Sequence, residues 1–178
     1  MAAPGSKSRK GSGASYDSKQ PRDLVLFADK CLGRMVANAL RAMGVTVELM
    51  ADHFPQDTAD AVWLEEVGNR GWVVLTKDKN ITHNHIEIVA LLKSNTHSFV
   101  LTSGSITGAE MAHAFVVALP QIRGIVETTK APLVATVSRG GNVRVTHTYA
   151  ELQSSLEAAS RRESLPNSSA PAQKLPSD

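Results

Sequence analysis

Three aspartates carry the chemistry that can be read from this chain. Asp29 directly follows the apolar run Leu24 to Ala28, and Asp78 follows Trp72 to Thr76 in Thr76-Lys77-Asp78-Lys79-Asn80. Asp60 opens a helix-period segment with Trp63, Leu64 and Val67 at i+3, i+4 and i+7, so it heads the apolar face. Glu65 and Glu66 are rotated from it by roughly 140° and 240° and face solvent. Ligands of open α/β sheets bind beyond the carboxyl ends of the strands, where Asp29 and Asp78 stand. If the first three strands are adjacent and parallel, Asp29, Asp60 and Asp78 converge within reach of one cation. Oxygen ligands suit hard divalent ions, and Mg²⁺ keeps several waters for substrate phosphate. Such a metal activates water and stabilises a leaving oxygen, which makes hydrolysis of a phosphodiester the implied reaction.

Each acid also has a plainer reading. Asp29 suits the cap of a helix beginning near Leu32, Asp60 the N-terminal end of its own helix, and Asp78 a turn before Asn80. Capping explains each acid singly and explains less easily why all three fall on one sheet edge. Positive charge stands nearby: Lys77 and Lys79 flank Asp78, and Lys30 and Arg34 follow Asp29. Phosphate contacts of this kind supply affinity where carboxylates alone repel a polyanion, although Lys79 and Arg34 also suit an ordinary solvated surface. His83 and His85 do not match the i, i+4 pair of a helical zinc site, and no further Cys or His pair supports one. Trp63 and Trp72 fit core positions beneath the acids, and Cys31 reads as a free core thiol.

These residues need a scaffold, and the patterning supplies one. Short β-forming runs alternate with helix-period segments, the signature of a parallel α/β sheet. Strands are expected at Leu24–Ala28, Val45–Leu49, Trp72–Thr76 and Ser98–Leu101, with Pro132–Val137 and Val143–Thr146 as a closing hairpin through Gly140-Gly141. Helices are expected from Leu32 to Met43 before Gly44, after the polar loop Asp52–Asp57 to about Arg70, over His85–Lys93, and from a Thr107/Glu110 capping box to about Ile122. The fold expected is a three-layer α/β sandwich with a central, mainly parallel sheet and a C-terminal β-hairpin.

The 178 residues are 42% apolar, enough for one ordinary domain, and the 19 Lys and Arg against 17 Asp and Glu exclude both a histone-like polycation and an acidic disordered chain. Residues 1–20 and 151–178 are rich in Ser, Ala, Pro, Gly and charge and nearly empty of Val, Ile and Phe. Both are therefore expected to be disordered, apart from a helical turn or two after Thr148, leaving residues 21–150 as the folded domain, able to melt unchanged without them. The single cysteine, the absence of a span of about 20 apolar residues and the lack of an apolar leader core point to a cytoplasmic protein without a membrane partner.

The ordered series Phe27-Ala28-Asp29-Lys30-Cys31-Leu32-Gly33, Ala39-Leu40-Arg41-Ala42-Met43-Gly44, Phe54-Pro55 with Asp60-Ala61-Val62-Trp63, and Gly71-Trp72-Val73-Val74-Leu75-Thr76-Lys77-Asp78-Lys79 resembles the PIN-like domains grouped with VapC-type toxin ribonucleases. The likeness runs from Leu24 to about Val145 and includes Phe99-Val100-Leu101-Thr102 and the Thr107 helix start. It implies a three-layer PIN-like sandwich and an endoribonuclease that uses Mg²⁺ or Mn²⁺ and leaves a 5′-phosphate and a 3′-hydroxyl. Carried over by position, Asp29, Asp60 and Asp78 are the metal-binding and catalytic acids. Lys77, Lys79 and Lys30 then serve as the substrate-binding cations. A fourth acid is usual in such nucleases, and Glu87, then Asp57, are its candidates. RNA is the implied partner, together with a cognate antitoxin if the chain is a toxin, and a homodimer is left open.

Two other classes compete. One is a catalytically degenerate PIN-like module that binds RNA or a protein partner without cutting. The other is a receiver-like signalling domain with Asp78 as phosphoacceptor. That fold needs an acidic pair at the end of strand one and a Lys after the last parallel strand, whereas Asp29 has no adjacent acid and Lys130 precedes Pro132.

Overall fold

A computed structural model describes residues 23–82 and 85–164. Expectations for residues 1–20, for His83 and for the last fourteen positions lie outside the described residues.

The order is β1 (Val25–Ala28), α1 (Gly33–Ala42), β2 (Thr46–Leu49), α2 (Met50–His53), α3 (Asp60–Asn69), β3 (Val73–Thr76), α4 (His85–Ser94), β4 (His97–Leu101), α5 (Gly108–Thr128), β5 (Leu133–Val137), β6 (Val143–His147) and α6 (Tyr149–Ser164). A short 3₁₀ turn at Lys79–Thr82 follows β3. The six strands form one sheet in the order β2-β1-β3-β4-β5-β6. The first five are parallel, and β6 closes antiparallel on β5.

Alternation of side chains across the strands divides the core into two layers. Leu26 and Ala28 of β1 and Leu75 of β3 pack with Val36 and Leu40 of α1 and Phe115 and Ile122 of α5. Phe27 and Val74 point the other way, to Trp63 and Leu64 of α3 and Leu91 of α4. This is the expected three-layer sandwich, and its β3 and β4 are buried at every position, as strands covered on both faces must be.

The local signals act as expected at several boundaries. Gly44 ends α1 at φ 76°, a left-handed conformation that a side chain disfavours, while its N–H closes on the Arg41 carbonyl at 2.9 Å. Thr107 accepts from the Glu110 N–H, and Glu110 reaches back to the Thr107 N–H at 2.7 Å, completing the capping box of α5. Gly68 lies where α3 meets the backbone of Ser94 at the end of α4; any Cβ at this position would collide with the Ser94 carbonyl.

Three expectations are corrected. The segment 52–57 is not wholly loop, because α2 takes its first two residues into one helical turn, closed by the Phe54 N–H on the Met50 carbonyl at 2.9 Å. Helix α5 runs past Ile122 to Thr128, since Ile125 and Val126 still pack against the core. The segment from 151 onward is not a disordered tail as far as Ser164. Helix α6 occupies it, with Leu152 fully buried and Leu156 packed against the second core layer. A second Thr/Glu box starts this helix: the Thr148 N–H donates to Glu151 Oε2 at 2.7 Å, which holds the Glu151 carboxyl below its ordinary pKa.

His97 provides a measurable property of this core. It is buried in β4 with Nε2 3.0 Å from Thr129 Oγ1, and its burial lowers the imidazole pKa by disfavouring the charged form. Because the unfolded chain takes up the proton more readily, its contribution is intact above the ordinary histidine pKa. It weakens as pH falls through about 6.5, by at most about 1.4 kcal/mol per pH unit. Urea midpoints at pH 7.5 and 5.5 should therefore fall further for wild type than for His97→Gln.

Candidate active site

The strand order fixes where the acids meet. From β1 the chain crosses to β2 on one side and later to β3 on the other, so the sheet reverses its winding between β1 and β3. A crevice opens at such a switch point beyond the strand carboxyl ends. The β1–β3 ladder continues one residue past β1, because the Asp29 N–H donates to the Leu75 carbonyl at 3.0 Å. Asp29 is thus held to the neighbouring strand, with only 7% of its surface exposed.

Its carboxylate belongs to a hydrogen-bonded unit that spans both strand ends. Thr76 Oγ1 donates to Asp29 Oδ2 at 2.7 Å and accepts the Asp78 N–H at 3.0 Å. Cys31 Sγ donates to the same Oδ2 at 3.1 Å and accepts the Lys77 N–H at 3.1 Å. Oδ2 carries both bonds, and Oδ1 takes none among the described residues. The plain capping reading fails for Asp29, since Leu32 stands at the N-cap of α1 without any side-chain cap and the Asp29 side chain turns to β3 instead. For Asp78 the turn reading holds at one oxygen, as Oδ1 accepts the Asn80 N–H at 2.8 Å.

Asp60 takes a different part. It is the first residue of α3 and accepts the Trp63 indole N–H at 2.9 Å. Trp63 is buried and stacks on Phe27 with ring centroids 5.5 Å apart, so its N–H needs an internal acceptor. The structure therefore ties Asp29 to Asp78 and leaves Asp60 outside that hydrogen-bonded unit. Among the described residues no group of three or more His, Cys, Asp or Glu side chains is placed to hold a metal ion. Glu87 lies half-buried in the first turn of α4, and Asp57 is exposed in the loop before α3.

Cys31 is not the core thiol expected from its type. The residue is exposed and Leu32 takes the inward position beside it, while the sulfur itself nestles among Asp29, Thr76 and the Lys77 amide. Desolvation there, reinforced by the Asp29 charge, pushes the thiol up to about 11. It stays protonated at neutral pH and serves as a donor. Thr76, 1% exposed, was not among the residues singled out by sequence. The available signal was its being the one polar side chain of a buried Val-Val-Leu-Thr strand, where a hydroxyl needs partners. Thr76→Val should cost about 1–3 kcal/mol by leaving the Asp78 N–H and one Asp29 bond unmade, and Thr76→Ser should recover most of it, as read from urea midpoints.

The cations ring this unit. Lys30 and Arg34 are exposed on the α1 side, and Lys30 Nζ donates to the Gln56 carbonyl at 3.2 Å. Lys77 is half-buried between Thr76 and Asp78, and Lys79 is exposed. The donor chemistry suits a hard divalent cation. Two carboxylates at adjacent strand ends, Asp29 with Oδ1 and Asp78 with Oδ2 free of hydrogen bonds among the described residues, match an ion that takes one or two protein carboxylates and keeps its waters.

Residues 24–103, the stretch that holds β1 to β4, match the family described as PIN like domain. The chain is also 26% identical over 125 residues, 67% of its length and 90% of the relative's, to the Mycobacterium tuberculosis (strain ATCC 25618 / H37Rv) protein named "Putative ribonuclease VapC45". No solved structure gives a significant match. Among the described residues no helix is long and apolar enough to cross a membrane.

Proposed function

We propose that the chain is a metal-dependent endoribonuclease that hydrolyses RNA phosphodiesters to a 5′-phosphate and a 3′-hydroxyl. The observation that carries this reading is the Asp29–Thr76–Asp78 unit at the switch point of the sheet. Asp29 and Asp78 would hold Mg²⁺ or Mn²⁺, with Asp60 as a third acid through the oxygen that Trp63 does not use. The ion supplies activation of water and charge neutralisation on the phosphate. Thr76 and Cys31 orient Asp29, and Lys77, Lys79 and Lys30 attract the RNA backbone. The name of the mycobacterial relative supports RNA as substrate, and by the same likeness a toxin role with a cognate antitoxin is part of the proposal.

A second reading, a PIN-like module that binds RNA or a partner without cutting, is favoured by one observation: no third acid joins Asp29 and Asp78 among the described residues. The receiver reading gains only the strand order, which doubly wound folds share. Lys30 stands where its second acid is needed, and Ser138-Arg139, not Lys, follows β5. A panel of single-stranded RNAs incubated with Mn²⁺, with Mg²⁺ and with EDTA separates the two main readings. Cleavage with either ion and none in EDTA is expected, whereas binding without cleavage under all conditions selects the second.

A further inference from the structure

Beside Asp29 a cleft of about 420 Å³ opens between the start of α1 and the α2 segment. Asp29 lines it together with Lys30 and Arg34 from the segment that opens α1 and with Ala51, Phe54 and Gln56 from the α2 segment, where Met50 is buried in the core. The walls differ in chemistry. One carries two cations and the other is apolar, with Phe54 half-buried and held edge-on to Phe27 at 5.9 Å between ring centroids. Lys30 already reaches across to the Gln56 carbonyl, so its ammonium sits between the walls.

We propose that this cleft is a nucleotide subsite, holding one unpaired nucleotide of the substrate strand with its base against Phe54 and its phosphate toward Lys30 and Arg34. The inference rests on the ribonuclease reading for its substrate and adds where the strand runs. The volume suits one small ligand and is too small for a duplex. An aromatic wall facing cations matches what a splayed base and its phosphate require, and bases offer such faces only in single-stranded segments. Asp29 lines the same cleft, so a nucleotide seated there lies next to the acid that would hold the metal. The site is therefore expected to take any of the four bases, since stacking reads no base edge.

The test uses the full chain in EDTA and titrates it with each ribonucleoside 5′-monophosphate and with ribose 5-phosphate, following amide resonances by NMR. Shifts at Gly33, Arg34, Ala51 and Gln56 with the nucleotides, and about tenfold weaker binding of ribose 5-phosphate, are expected. Arg34→Gln should weaken both probes. Ala51→Trp, at an exposed position on the cleft wall, should block the nucleotides without lowering the melt and should raise KM for single-stranded RNA. Equal binding of ribose 5-phosphate, shifts confined to other surfaces, or unaltered nucleotide binding and KM in Ala51→Trp would overturn the subsite. If the nucleotides bind in the cleft but no RNA is cut with Mn²⁺, the ribonuclease reading fails and the subsite stands. If RNA is cut and Ala51→Trp leaves KM unchanged, the subsite alone fails.

Discussion

Under the proposed ribonuclease activity, Asp29→Asn and Asp78→Asn should each reduce RNA cleavage by at least about 100-fold, while Glu65→Gln should leave it near wild type. The lower bound follows from metal sites in general, where changing groups that merely orient the ligands already costs about 10- to 100-fold. Asparagine at 29 can still accept from Thr76 and Cys31, so the fold is retained while the charge that would hold the ion is lost. Glu65 is exposed on α3 and serves as the control. Thermal melts give a reading independent of activity. Mn²⁺ at a hundredfold excess over Kd should stabilise the wild type by about 2.7 kcal/mol and Asp78→Asn much less. Asp60→Asn separates the two uses of that acid, since the amide oxygen can still accept from Trp63. A fall in cleavage at constant melt is expected. Full cleavage would reduce Asp60 to the acceptor of an indole, and melts that ignore Mn²⁺ in every protein would remove the metal from the site.

The residues differ in how far their neighbourhood can be read along the chain. Asp29 and Asp78 were legible because each follows an apolar run whose end marks a strand, and parallel strands put such ends on one edge. Thr107 and Glu110 were legible because a capping box is local, its partners only three residues apart. The bond from Thr76 to Asp29 crosses 47 positions, and the Cys31 contact to Thr76 crosses 45, so neither leaves a trace in spacing. Asp60 was placed correctly at the head of an apolar face, but its indole partner depends on a side-chain rotamer that periodicity cannot supply. Helix α6 had a local signal that composition obscured. Thr148 and Glu151 repeat the Thr107/Glu110 spacing, and Leu152 and Leu156 stand at i, i+4, yet Ser, Ala and charge dominate the segment. A single apolar stripe suffices for a helix that covers only the edge of a core layer, as α6 does against α4 and β6.

Because α6 docks on the core through Leu152 and Leu156, its removal has a large expected effect. A chain ending at residue 150 should melt well below the full-length protein, in contrast to what composition alone suggests for residues 21–150. The loss begins with Leu152, fully buried in the layer that contains Leu91, Ile88 and Val134. Leu152→Ala alone should cost about 2–5 kcal/mol. Removing the helix also uncovers Leu156 and the Ser160 hydroxyl that lies 3.2 Å from His85 Nε2 at the start of α4. Each kcal/mol corresponds to roughly 2–8 °C for domains of this size range, so the leucine variant alone should shift the melt by several degrees. Gln153→Ala, on the exposed side of the same helix, should barely move it. The bonds of the Asp29–Thr76–Asp78 unit run among the ends of β1 and β3, so Mn²⁺ should still raise the melt of Leu152→Ala by the wild-type increment. An unchanged melt for the chain ending at 150 would mean that α6 does not dock, and unchanged melts for Leu152→Ala would place the leucine outside the core.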